Sequence, residues 1–171
     1  MNIPVRQHKL GFDAGFRNAG AVVFTASGRP VHSVVFQTKP AKGVKVWEQN
    51  YCYCVSHFAW LSQLCREWNI SHVAVELQTG SSKSQKALRA MSLSFAATVT
   101  AFTALNLTIL PVEPLEVKRL TSTTGDKNEI IAWANADPAL AKLLTGVKGK
   151  DEHLADAMAV AAVRGIYDYA G

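Results

Sequence analysis

The sequence predicts one α/β domain: a mixed five-stranded sheet with helices on both faces. Between residues 9 and 38, short apolar runs are punctuated by Gly, Asn, Ser and Pro, the mark of three strands joined by tight turns. From residue 47 onward helical and strand periodicities alternate, which adds parallel strands beside the meander and helices over the sheet. No internal repeat or linker interrupts the 171 residues, a length at which one hydrophobic core suffices without disulfide or metal staples.

The first three strands are expected near residues 9–15, 19–26 and 31–38. Turns at Arg17-Asn18 and at Ala26-Ser27-Gly28-Arg29-Pro30 make them an antiparallel meander, and residues 39–45 form a basic loop. Trp47, Tyr51, Val55, Phe58, Leu61, Leu64, Cys65 and Trp68 then recur at spacings of three and four, predicting an amphipathic helix whose aromatics face the core. A Val-rich strand at 72–77 leads to the turn Thr79-Gly80-Ser81-Ser82, whose serines can cap a long helix over 83–105. Another strand follows at 107–112. Pro114 suits the first turn of a short helix near 115–121. Helices near 127–136 and 152–168 complete the chain, the last one after a basic loop at 147–150.

Composition narrows the function. With 49% hydrophobic and 18% charged residues, the chain is neither disordered nor low-complexity. Eighteen Lys and Arg against 13 Asp and Glu give a net charge of +5, which suits a polyanionic partner. Three clustered cysteines, Cys52, Cys54 and Cys65, make a poor disulfide framework and point to a reducing compartment. Zinc is disfavoured even with His57 nearby, because Cys52 and Cys54 would point to nearly opposite sides of a helix. Residues 1–10 show no secretory h-region, and the apolar stretches at 93–110 and 154–163 are interrupted by polar residues or too short to span a bilayer. The expectation is a soluble, cytoplasmic protein with no membrane partner.

The chemistry should reside in four residues. Strand alternation places Leu10, Phe12 and Ala14 on one face and Asp13, between Gly11 and Gly15, on the other, with open space around its carboxylate. Glu76 ends the run Val73-Ala74-Val75, where an apolar residue would be cheaper. His153 and Asp156, three apart at the start of the last helix, share a face. Asp156 sits among alanines and needs a partner such as a cation. Each has an ordinary alternative: Asp13 as a turn former, Glu76 as a surface acid, Glu152 and Asp156 as helix-dipole partners, His153 as a surface histidine. Jointly they make an oxygen-rich set with one nitrogen, suited to Mg²⁺ or Mn²⁺. Two such ions about 4 Å apart activate water and stabilise the leaving oxygen of a phosphodiester.

Asp13 with its flanking glycines, Glu76 after a Val-rich strand, Val117-Lys118 before a Thr-Gly-x-Lys segment, and His153-x-x-Asp156-Ala157 together resemble the RuvC-type Holliday-junction resolvases, over nearly the whole chain. The resemblance implies the RNase H-like fold, with the first and fourth strands adjacent so that Asp13 lies beside Glu76. It also implies a homodimer acting on four-way DNA junctions, with one active site per strand. Asp13, Glu76, His153 and Asp156 correspond to the metal-binding and catalytic set, and Lys118 and Lys127 to basic residues of the site. The chain departs from the family in the shorter segment between those two lysines. It also has Leu77-Gln78-Thr79-Gly80 where better-known members carry an aromatic wedge, which suggests a divergent, phage-type member.

Lys83, Lys86 and Arg89, at i, i+3 and i+6, would add a basic stripe that tracks phosphates together with Lys118, Arg119 and Lys127. Lys39, Lys42 and Lys45 form a second candidate patch, and Phe16, Arg17 and Trp47 are further candidate DNA contacts. Three other readings compete. One is a nuclease of the same fold acting on RNA or RNA:DNA hybrids, another a non-catalytic binder of branched DNA. The third, a sugar-kinase or actin-like ATPase, needs two lobes where the length supplies one.

Overall fold

The computed structural model describes residues 8–39, 42–76, 84–124 and 126–168, with Lys86 described in its backbone only. Five strands, β1 (His8–Asp13), β2 (Asn18–Thr25), β3 (Pro30–Gln37), β4 (Ile70–Glu76) and β5 (Thr108–Val112), form one sheet in the order β3-β2-β1-β4-β5. β1 pairs antiparallel with β2 and parallel with β4, and β5 continues the parallel half. Helices α1 (Val46–Glu67) and α2 (Gln85–Ala104) follow β3 and β4; α3 (Pro114–Thr121), α4 (Lys127–Ala136), α5 (Pro138–Ala141) and α6 (Lys148–Val163) come after β5. The short α5 has no counterpart among the sequence expectations. It is started by the Asp137 carboxylate, which accepts from the Ala139 and Leu140 backbone N–H groups, and by Pro138 in its first turn.

Alternation along β1 sorts the two cores. Leu10, Phe12 and Ala14 join Val73, Val75, Leu61 and Phe102 on the face covered by α1 and α2. The opposite core gathers Val22, Phe24 and Ala74 with the alanine-rich α6 and with Trp133 and Leu140. Gly11, Asp13 and Glu76 fall on that α6 side by the same alternation.

Four sequence expectations need correction. The last helix runs from Lys148 to Val163, so the basic stretch at 147–150 is its N-cap and first turn rather than a loop. His153 and Asp156 therefore lie in its second and third turns. On α1 the core stripe is phased differently: Tyr53, His57, Leu61 and Cys65 are buried, whereas Trp47, Tyr51 and Val55 are 63%, 66% and 50% exposed. Tyr53 and His57 turn inward because α2 offers hydroxyls that satisfy their polar atoms, described below. The serines assigned to capping, Ser81 and Ser82, lie outside the described residues, and the N-cap of α2 is instead Ser84, without a side-chain cap bond.

The fourth correction concerns the glycines of β1. The space beside Asp13 is not open, because α6 occupies it: a Cβ on Gly11 would stand 2.2 Å from the Ala157 carbonyl oxygen, and one on Gly20 only 2.1 Å from that of His153. Glycine is required there so that the α6 backbone can lie directly on the sheet. Residues Ala87–Ala104 of α2 are, by length and composition alone, long and apolar enough to cross a membrane. The segment belongs to the domain nonetheless, since Ser94, Thr98, Ala101 and Phe102 are fully buried in it.

Candidate functional site

The site sits where β1 and β4 end side by side. Phe12 pairs with Val75 in the parallel register, so the next residues, Asp13 and Glu76, leave adjacent strands on the α6 face. Asp13 also faces Gly20 of β2, whose missing side chain lets α6 approach. That approach brings His153 Nδ1 to 2.6 Å from Asp13 Oδ2. Both side chains keep 18% of their surface exposed, leaving a partly sheltered pair that solvent still reaches.

Electrostatics tie the remaining members together. Burial pushes the Glu76 carboxyl up to about 7, helped by the Asp13 charge and opposed by Lys118. Asp156 is also raised to about 7, by burial first and then by Asp13 and Glu76, with His153 and Lys127 opposing. Three carboxylates thus repel one another in a half-desolvated pocket. His153 is raised as well, but because its charged form is favoured: the hydrogen bond to Asp13 outweighs the cost of burial. Among the described residues no three acidic, histidine or cysteine side chains already form a coordination cage; Asp13 is engaged by His153 instead.

The lysines flank this pocket. Lys127 Nζ pairs with Glu152 Oε2 at 2.6 Å while 62% exposed, and that bond raises its pKa ahead of weaker pulls from Asp156 and Asp13. The sequence makes Lys127 a phosphate contact; in the fold it is already ion-paired at the rim. Lys118 and Arg119 are exposed on α3, a helix fixed by the bidentate pair of Arg164 with Glu116 at 2.9 and 2.6 Å. Arg164 also donates to the Pro111 carbonyl at 2.6 Å, so the end of α6 and β5 together anchor the helix that carries Lys118. Arg89 is exposed on α2. Lys83 lies outside the described residues, as does the Lys86 side chain. Lys39, Lys42 and Lys45 are exposed, Phe16 packs against Tyr53 with ring centroids 4.1 Å apart and planes tilted by 40°, and all three cysteines are free.

Sequence reasoning missed a buried polar group behind Asp13. Tyr53 Oη lies 3.2 Å from the Gly15 carbonyl oxygen, 3.1 Å from Ser94 Oγ and 3.2 Å from His57 Nδ1. Ser94 Oγ donates to the Ala14 carbonyl at 2.7 Å, and His57 Nε2 meets Thr98 Oγ1 at 3.0 Å. Burial pushes the Tyr53 hydroxyl up to about 12 and His57 down to about 4. The signal is present in the sequence: Tyr53 and His57 are four apart on one helix, as are Ser94 and Thr98 on the next.

No protein-family model and no curated protein matches this sequence. Among solved structures, the chain is similar to T. thermophilus RuvC in complex with Holliday junction substrate, with TM-score 0.72 and 20% identity over 94% of each chain. It is also similar to a second Thermus thermophilus RuvC structure, with TM-score 0.70, 20% identity and the same coverage. The five-stranded mixed sheet flanked by helices therefore has the RNase H-like fold of RuvC.

Proposed function

We propose that this chain is a divalent-metal-dependent endonuclease that cuts four-way DNA junctions or closely related branched DNA. The observation that carries the reading is the convergence of Asp13, Glu76, Asp156 and His153, from three separate elements, beside Lys118 and Lys127. The T. thermophilus relative bound to a Holliday junction supports the substrate, and the net charge of +5 suits DNA.

The donor set fits a hard cation. Two carboxyls raised to about 7 are insufficiently compensated by the neighbouring lysines, and oxygen-rich sites of this kind hold Mg²⁺ or Mn²⁺. Asp13, Glu76 and Asp156 would hold two ions, with His153 as a ligand or proton carrier. When bound, such ions supply positive charge for the phosphodiester and lower the pKa of a water nucleophile. Asp13 is central because its charge acts on both other acids and on His153. With Nδ1 engaged by Asp13, His153 takes or gives a proton at Nε2. Lys118, Arg119, Lys127 and Arg89, with Lys83 and Lys86, would position phosphates without reading sequence.

Two copies acting together would place one active site on each of two strands. In the single chain 22% of the residues of the apolar Ala87–Ala104 segment are fully buried, which supports α2 as the surface where copies meet. The test is a comparison of four-way junction, linear duplex, RNA:DNA hybrid and structured RNA, each with and without Mg²⁺. Junction cleavage that requires Mg²⁺ is expected. Preference for hybrid or RNA would transfer the site to a ribonuclease, and tight junction binding without cutting would make the chain an architectural protein.

A further inference from the structure

The two peptide carbonyls that follow Asp13 are not left to water. β1 ends at Asp13, and beyond it side chains from α1 and α2 take over from the strand ladder: Ser94 holds the Ala14 carbonyl and Tyr53 holds that of Gly15. Counting protons gives this cluster a direction. The Ser94 hydroxyl proton is committed to Ala14, at the shortest distance in the group, 2.7 Å. Tyr53 has one proton, and the Gly15 carbonyl, which can only accept, takes it, so Tyr53 has none to give His57. The 3.2 Å contact to His57 Nδ1 then requires the imidazole to donate there, which leaves Nε2 to accept from Thr98. In the opposite tautomer, Tyr53 would donate to Nδ1 and the half-buried Gly15 carbonyl would lose its side-chain donor, at a cost that disfavours it.

We propose that the buried chain running from Thr98 through His57 and Tyr53 to Ser94, with His57 held as its Nδ1–H tautomer, is a positioning device for Asp13. By fixing the Ala14 and Gly15 carbonyls it sets the direction in which Asp13 presents its carboxylate to divalent cations and to His153. None of the four side chains is a catalytic residue; they act through the backbone that carries one. The inference rests on the reading of Asp13 as a metal-binding carboxylate. It extends to this site the general behaviour of groups that orient metal ligands, whose loss weakens metal binding about 10- to 100-fold.

The test uses Tyr53→Phe and Ser94→Ala, each deleting one hydroxyl, Thr98→Val, which acts two links further from Asp13, and Ile70→Val as a core control at the far end of β4. Mn²⁺ affinity is measured by calorimetry on the full chain, alongside thermal unfolding and junction cleavage. Tyr53→Phe and Ser94→Ala should weaken Mn²⁺ binding about 10-fold and lower kcat while leaving KM for the junction unchanged. Thr98→Val should shift both in the same direction by less. Ile70→Val should lose stability only. Variants that unfold earlier but bind Mn²⁺ like the parent would make the cluster merely structural and overturn the proposal. A parent that binds Mn²⁺ but cuts no branched DNA defeats the nuclease reading alone, and the Mn²⁺ comparison still decides the positioning role. A parent that binds no Mn²⁺ overturns both.

Discussion

His153 Nδ1 and Asp13 Oδ2 meet at 2.6 Å although 140 residues separate them in the chain. The contact exists because Gly20 lets the α6 backbone, at the His153 carbonyl itself, lie against β2. Asp13 raises the His153 pKa, through the hydrogen bond above all and through its charge as well. Asn in place of Asp13 keeps an acceptor and removes the charge, so the His153 pKa should fall. Titration of the His153 Cε1 proton by NMR reads this directly, and an unmoved midpoint would contradict the pairing. By linkage, the pair stabilises the fold fully below the ordinary histidine pKa of 6.5 and loses that contribution as pH rises through the raised value.

Glu76 and Asp156 are shifted in the same direction for a different reason: burial and mutual repulsion penalise their charged forms. Their carboxyls titrate near 4 when unfolded and near 7 in the fold, so the native state binds the extra protons and stability declines between those pH values. Glu76→Gln should therefore unfold at higher urea than the parent at pH 8, by about 1–2 kcal/mol. The advantage should vanish at pH 4. A Glu76→Gln variant less stable than the parent at pH 8 would show that the carboxylate is well compensated.

Gly20→Ala tests the close approach of α6. A methyl there would sit 2.1 Å from the His153 carbonyl oxygen, so helix or strand must move. Overpacking of this kind costs about 3 kcal/mol, measurable as a lower urea midpoint, and the shift of His153 should weaken Mg²⁺-dependent cleavage as well. Unchanged stability would mean that α6 is not seated as described.

Lys118 holds Glu76 down by its charge. Lys118→Ala should raise the Glu76 pKa further and move the acidic limb of the cleavage pH profile upward. It should also reduce the dependence of junction affinity on salt concentration by about one unit of log–log slope, if the lysine contacts one phosphate. A profile identical to the parent's would place Lys118 outside the site.

The fold is legible in the sequence because its signals are local. The Gly- and Pro-punctuated meander, the Val-rich fourth strand and Pro114 each fix an element within a few residues of where it forms. The four acid and imidazole residues are legible too, as charges on strand and helix positions that normally exclude them. What stays hidden depends on partners distant in sequence. The phase of α1 is misleading because Trp47 and Tyr51 look more apolar than Tyr53 and His57. Only the hydroxyls of Ser94 and Thr98, supplied by α2, make the latter pair the buried one. The glycines beside Asp13 read as empty space until α6 fills it. The early start of α6 is obscured by Gly149 and by lysines that make a poor first turn beside the helix dipole.

The central claim is that Asp13 serves cutting rather than holding. The most direct measurement is cleavage and binding of one four-way junction by Asp13→Asn in Mg²⁺ beside the parent. Cleavage should disappear while junction affinity, carried by the surrounding lysines, stays within a few-fold. Undiminished cutting by Asp13→Asn would contradict the account.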